Sequence, residues 1–161
     1  MTSKTTGILF RAVLATSILL VGCAGRPENK APNIHYGQDP CSECRMIIGD
    51  KRFAAAFISE DGEVFKFDDI GCMRTYEEKN KVLPKNSWVH DYQSEQWVVK
   101  EQAIFVFSKQ LVTPMGYEIA AFSDAGAAKE FLGKGGGQKI SWDEISETLQ
   151  HDVNESRGIK W

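Results

Sequence analysis

Cys41-Ser-Glu-Cys44-Arg-Met46 puts two thiols and a thioether within six residues. All three are soft sulfur donors, and thiolate with thioether selects Cu(I) over hard cations such as Mg or Ca. Zinc also takes cysteine, but its usual partners are more cysteine, histidine or carboxylate, so Met46 tilts the chemistry toward copper. Positions i and i+2 of an extended chain face one side, and a turn can also converge them, which makes Cys44 and Met46 the strongest pair. Two other readings stay open. One is a Cys41–Cys44 disulfide with Met46 in the core. The other is a thioredoxin-like redox site, which normally follows a strand and opens a helix. The flanks here, Gln38-Asp-Pro40 and Ile47-Ile-Gly49-Asp50, read as a loop entering a hairpin.

Further donors lie elsewhere. Cys72 and Met73 open a helix, a position that lowers a thiol's pKa, though Asp68 and Asp69 oppose that. Core packing is the favoured role for this pair. Met115 sits in a loop beside Pro114 and reads equally as a donor or a packing plug. His35 and His90 are further candidate ligands, and His151 a weaker one, since neutral imidazole suits copper. Phe53, Phe57, Phe65, Phe67, Trp88, Phe105, Phe107 and Phe122 alternate as strand core and are assigned no cofactor. There is no Gly-x-Ser-x-Gly, no His-Glu-x-x-His and no phosphate loop, since Gly135–Gly137 lacks a following Lys-Ser/Thr. A sulfur site without acid–base partners fits metal carriage better than catalysis.

The compartment gives this motif its weight. Lys4 and Arg11 form a basic n-region, and Ala12 to Val21 is an apolar run too short to span a bilayer. Leu20-Val-Gly-Cys23 resembles a bacterial lipobox, so residues 1–22 are expected to be cleaved and Cys23 acylated. Ala24 in place of Asp favours an outer-membrane anchor facing the periplasm. Losing Lys4 and Arg11 with the signal moves the formal charge from −3 to −5, and no basic cluster points to nucleic acid. Residues 23–39, polar with Pro27 and Pro32, read as a flexible tether. Cys41, Cys44 and Cys72 then share an oxidising compartment. An odd count leaves at least one thiol unpaired there.

The elements that must position these donors form an internal echo. Glu63-Val-Phe-Lys-Phe67-Asp-Asp69-Ile-Gly71 aligns with Glu118-Ile-Ala-Ala-Phe122-Ser-Asp124-Ala-Gly126, at an offset of 55. Each copy runs from an apolar strand through an acidic turn into a helix, over Ile70–Lys79 and Ala125–Gly133. Asp68 or Asp69, and Ser123 or Asp124, are natural N-caps. Phe53–Ile58 reads as a strand that turns at Glu60-Asp61-Gly62, and Trp88–Tyr92 as a third strand. Ala103–Phe107 and Gln138–Ile140 fill the same places in copy two. The expectation is an α+β fold of two ββαβ units, about 52–92 and 103–140, within a domain over 40–152. Antiparallel sheets, a helix from Trp142 to His151 and a tail over 153–161 complete it. Thr113-Pro-Met115-Gly116 enlarges the hairpin of copy two, and loops on rigid scaffolds carry function.

The lipobox, Cys41-x-x-Cys44-x-Met46, Phe67-Asp-Asp-Ile-Gly-Cys-Met73 and Thr113-Pro-Met-Gly116 with Ala120-Ala-Phe122 together resemble NosL, the nitrous oxide reductase accessory lipoprotein family. The resemblance runs from about Asp39 to Ile140. It implies a duplicated ββαβ fold and a Cu(I) chaperone, not an enzyme. The copper would serve the centres of nitrous oxide reductase during denitrification, through that enzyme's membrane assembly machinery. It also implies a copper pair at Cys44 and Met46. Cys41, Met115, His90, His35 or a partner residue are open as further ligands. Many members carry Gly where this chain has Arg45. The alternative function is an envelope thiol–disulfide oxidoreductase using Cys41 and Cys44.

Overall fold

The computed structural model describes residues 30–147. The signal, Cys23, His151 and the tail lie outside them. Strand β1 (Ala55–Ser59) turns back into β2 (Val64–Phe67), helix α1 (Ile70–Asn80) follows, and β3 (Pro84–His90) returns to the sheet. A short strand, β4 (Trp97–Val99), then pairs with β3. The second unit is β5 (Ile104–Phe107), β6 (Ile119–Phe122), α2 (Ala125–Gly135) and β7 (Gln138–Ile140). All named strand pairs are antiparallel, in the orders β2-β1-β3-β4 and β6-β5-β7. In both units the first strand is central and its flanks are the second and third. The duplicated ββαβ order expected from the echo is therefore present. Residues 142–147 are helical and reach the end of the described region.

Local signals explain the boundaries. Asp69 and Asp124 are the N-caps, accepting from the backbone N–H of Gly71 at 3.0 Å and of Ala127 at 2.8 Å. Gly62, at φ 87°, provides the left-handed residue of the β1–β2 turn. Gly136, at φ 70°, ends α2. β3 starts four residues before the expected Trp88, because Pro is tolerated as the first residue of a strand. β4 escaped the sequence reading: three residues between polar neighbours carry no period.

The second sheet has two buried faces. Phe105, Ile119 and Ala121 join the main core with Phe57, Phe67, Ile70, Met73 and Val89. Their strand neighbours Val106, Ala120 and Phe122 pack with Phe53, Leu111 and Ala128 in a second cluster that includes α2. This is the period-two alternation of a strand covered on both sides. The domain also begins earlier than Pro40. Ile34 is buried in the main core and Tyr36 packs against it, so the end of the expected tether is part of the fold. Apolar side chains at 34 and 36 are too few to register as a pattern in a polar segment.

Asp91 joins the two units. It is buried at the end of β3 and forms a parallel bridge with Ala121 of β6. One carboxylate oxygen accepts from the backbone N–H groups of Gln93 and Ser94 and from the Ser94 hydroxyl. The other accepts from the Ser123 N–H at 2.6 Å and its hydroxyl at 2.9 Å. Burial alone would raise this carboxyl's pKa, but the donors from Ser94 and Ser123 prevail and hold it at about 2. The folded value lies below the unfolded value of about 3.9, so the stabilisation is complete above pH 4 and is lost as pH falls toward 2. A gap of about two units corresponds to about 2–3 kcal/mol. Asp91→Ala is therefore expected to lower stability by about 2–4 kcal/mol at neutral pH and to flatten the loss of stability between pH 4 and 2. Urea unfolding across that range measures both, and a variant that loses stability in parallel with the parent on acidification contradicts the assignment.

Candidate metal centre

The motif loop is built as a small pinned hairpin. Pro40 and Ile47 form an antiparallel bridge, and the Cys41 N–H donates to the Met46 carbonyl at 2.8 Å. The Arg45 N–H closes a turn on the Cys41 carbonyl at 3.1 Å. Ser42 holds this loop to β2: its N–H donates to the Lys66 carbonyl, and its hydroxyl accepts from the Lys66 N–H. Two ion pairs add to the clamp, Lys66–Asp39 at 2.6 Å and Lys79–Glu43 at 2.9 Å. The Cys-x-x-Cys lies in this turn and does not open a helix.

The opposing wall is the turn from β2 into α1. Asp68 and Asp69 are both buried and point to different tasks. Asp69 caps α1 and also accepts from the Met115 N–H at 3.2 Å. Asp68 meets the thiols, with Cys44 Sγ donating to its two oxygens at 3.4 and 3.5 Å. Cys72 follows in the first turn of α1. The sulfurs of Cys41, Cys44 and Cys72 and a carboxylate oxygen of Asp68 all lie within 4.8 Å of one another. Cys41 and Cys72 are fully buried, and Cys44 is partly open to solvent.

The charges in this cluster are unequal. A hydrogen bond from Cys72, with backbone donors from Asp68 and Cys44, outweighs burial and brings the Cys41 thiol down to about 7. Burial first, then Cys41 and Asp68, push Cys44 up to about 11. The contact with Cys41 and burial push Cys72 upward too. Burial raises Asp69 to about 6 against its donors Thr113, Gly71 and Met115. One thiol thus ionises near neutrality beside two that hold their protons. A cation that displaced those protons would gain thiolate ligands, and soft sulfur chemistry suits Cu(I) or zinc.

The two loop methionines frame this cluster by their backbones. Met46 follows Cys44 and is 53% exposed. Met115, 36% exposed, is held to the same acidic turn through its N–H bond to Asp69. The enlarged loop of copy two therefore meets the acidic turn of copy one, next to Asp68 of the cluster. Tyr117 reinforces this approach: a Cβ on Gly71 would lie 2.2 Å from its ring and 2.7 Å from its Cβ, so only glycine fits there.

His90 is not brought to the centre. It is buried, its Nε2 is 2.6 Å from the Tyr36 hydroxyl and its Nδ1 is 2.9 Å from the Glu95 carbonyl. Both ring nitrogens are thereby engaged, and the ring packs on Trp97 at 3.8 Å between centroids. His35 is exposed, with contacts to Asn33 and Asp39. Neither belongs to the cluster formed among the described residues. Conversely, the sequence favours core packing for Cys72 and offers Asp68 as a cap and as a charge opposing that thiol's ionisation. The structure gives Cys72 both roles, buried in the core with its thiol beside Cys41, and leaves capping to Asp69. The signal for Cys72 was the unpaired third cysteine. The signal for Asp68 was weaker, a second carboxylate where one cap suffices.

The model of the NosL family matches residues 34–150. The chain belongs to the NosL family. A relative, the copper-binding lipoprotein NosL of Stutzerimonas stutzeri, is 27% identical over 160 residues, covering 91% of this chain and 83% of that protein. The crystal structure of the copper chaperone NosL from Shewanella denitrificans superposes with a TM-score of 0.64 at 21% identity. It covers 74% of this chain and 96% of that one. At that identity the match speaks for the α+β fold. Both relatives are named for binding or carrying copper rather than for catalysis.

Arg45, where the resemblance leads one to expect glycine, is held at φ 69°. That left-handed conformation costs a residue with a Cβ about 1–2 kcal/mol. Glycine removes the cost but adds about 0.4–1 kcal/mol of unfolded-state entropy. Since Arg45 is exposed, Arg45→Gly is expected to keep stability or raise it by up to about 1.6 kcal/mol. Arg45→Val, branched at Cβ, should lose about 1–2 kcal/mol. Denaturant unfolding of the three proteins checks this, and an equal loss for Gly and Val would contradict it.

Proposed function

We propose that this chain is a lipid-anchored Cu(I) metallochaperone of the bacterial envelope, delivering copper for assembly of the copper centres of nitrous oxide reductase. The observation that carries the reading is the convergence of three thiols within 4.8 Å of one another, two sealed and one open to solvent. Cargo can arrive at Cys44, be held by Cys41 and Cys72, and leave by the same face through ligand exchange. Exposed Met46 and Met115 would add the thioethers that favour Cu(I). Few ligands and an open edge suit transfer, because a partner's donors can add before this protein's donors depart.

The family's relatives support the cargo, since one is named a copper-binding lipoprotein and another a copper chaperone. Among the described residues no helix is long and apolar enough to cross a membrane. Attachment is assigned to acylated Cys23 on the lipobox Leu20-Val-Gly-Cys23, with the domain facing the periplasm from the outer membrane and the assembly machinery of the reductase as its partner. The oxidoreductase alternative has less support, because Cys41 and Cys44 lie in a pinned turn rather than at the start of a helix.

Chelator-competition titration with Cu(I) tests the binding step. Replacing even an outer partner of a metal ligand typically costs about 10–100-fold in affinity. Each of Cys41→Ser, Cys44→Ser and Cys72→Ser should lose at least that much, and Met46→Leu about tenfold. In cells that carry only Cys44→Ser, the reductase polypeptide should be made and exported but be poor in copper and activity. A fully copper-loaded reductase from such cells would rule out an essential delivery role.

A further inference from the structure

Cys41 and Cys72 come from separate elements, the pinned motif loop and the first turn of α1, and both are fully buried. Their sulfurs lie within 4.8 Å of each other. Cys44 differs from them twice. It alone of the three is reached by solvent, and its Sγ is turned onto the Asp68 carboxylate. All three sulfurs lie within 4.8 Å of one another, close enough for side-chain rotation to bring a pair toward the bonding distance of about 2.05 Å. This is the layout of an exposed entry thiol in front of a buried pair.

We propose that the metal-free centre is a redox relay, in which Cys44 accepts an oxidising equivalent from a disulfide and passes it inward to form a Cys41–Cys72 disulfide. The oxidant is a small-molecule or protein disulfide, RSSR. Cys44 gives its proton to the Asp68 carboxylate that it hydrogen-bonds and attacks one sulfur of RSSR. A Cys44–S–S–R mixed disulfide forms, and the departing RS⁻ takes up the proton that Cys44 gave up. Cys41 then attacks Cys44 Sγ, joining Cys41 to Cys44 and releasing the second RSH with the Cys41 proton. Cys72 next attacks Cys41 Sγ. That bond forms as the Cys41–Cys44 bond breaks, and Cys44 leaves with the proton from Cys72. Two protein thiols are oxidised and one RSSR is reduced to two RSH. Exchange through mixed disulfides is the general route of such reactions.

Two features favour the inner pair as the end point. The last step returns Cys44 to its hydrogen bond with Asp68. It also relieves the Cys41–Cys44 turn, which is already constrained by the Arg45-to-Cys41 bond with Arg45 left-handed. The oxidised centre keeps Cys44 and Asp68 but has two thiols fewer to offer a metal ion. Capture then requires the reduced form.

The test uses the full chain with Cys23→Ser, freed of metal and exposed to oxidised glutathione, with timed alkylation and mass mapping of linked peptides. The expected product links Cys41 to Cys72 and leaves Cys44 alkylated. Cys72→Ser should stop at Cys41–Cys44. Cys44→Ser should still reach Cys41–Cys72, at least about tenfold more slowly, since buried thiols exchange slowly for want of access. A final Cys41–Cys44 linkage in the parent, three thiols that persist, or a Cys44→Ser chain that oxidises as fast as the parent would each overturn the relay. This assay contains no metal, so it stands apart from the copper reading on which the proposed function rests. A parallel sample preloaded with Cu(I) separates the two: a disulfide that forms equally fast with Cu(I) present counts against the copper centre and leaves the relay intact.

Discussion

The Asp68-Asp69 turn is the constraint on which the rest of the centre depends. Two adjacent carboxylates leave β2 buried and face opposite duties. Asp69 begins α1, and so fixes where Cys72 emerges. It also takes the Met115 N–H, and so draws the enlarged loop of the second unit onto the first. Asp68 faces the thiols and bonds Cys44. A single turn thereby joins the motif loop, the first helix and the second repeat. The cost is two buried carboxylates side by side, and Asp69 shows it in a pKa raised by burial to about 6.

Duplication explains how one unit can bring a loop to the acidic turn of the other. Both units use a ββαβ order with the first strand central. They are held together by shared packing of β5 and β6 on the main core and by the Asp91–Ser123 bonds. The acidic turn of copy one became the site, while in copy two the matching Ser123-Asp124 serves the interface and the α2 cap. Gly71 shows the same divergence. Its aligned partner Gly126 meets only the Asp124 side chain, whereas Gly71 accommodates the ring of Tyr117 from the other unit.

Much of this was legible in the sequence because it is local. The echo at an offset of 55 marked both helices and both caps, and Cys41, Cys44 and Met46 announced themselves by spacing. What was hidden is what only tertiary contact creates. Cys72 looked like a helix-start core residue because nothing within α1 says that it meets Cys41. His90 stays one open candidate among several because sequence does not show that Tyr36 and Glu95 occupy both its nitrogens. Ile34 and Tyr36 looked like tether because two isolated apolar residues have no period. β4 was too short to read.

The central claim is that copper is held by the three-thiol centre with thioether help, and not by imidazole. X-ray absorption at the copper edge of the Cu(I)-loaded protein tests it most directly. The account predicts a first shell dominated by sulfur, with no imidazole scattering, that loses sulfur when Cys72 is replaced by serine. A shell dominated by nitrogen or oxygen, or a sulfur shell unchanged by loss of both Cys41 and Cys72, would contradict it.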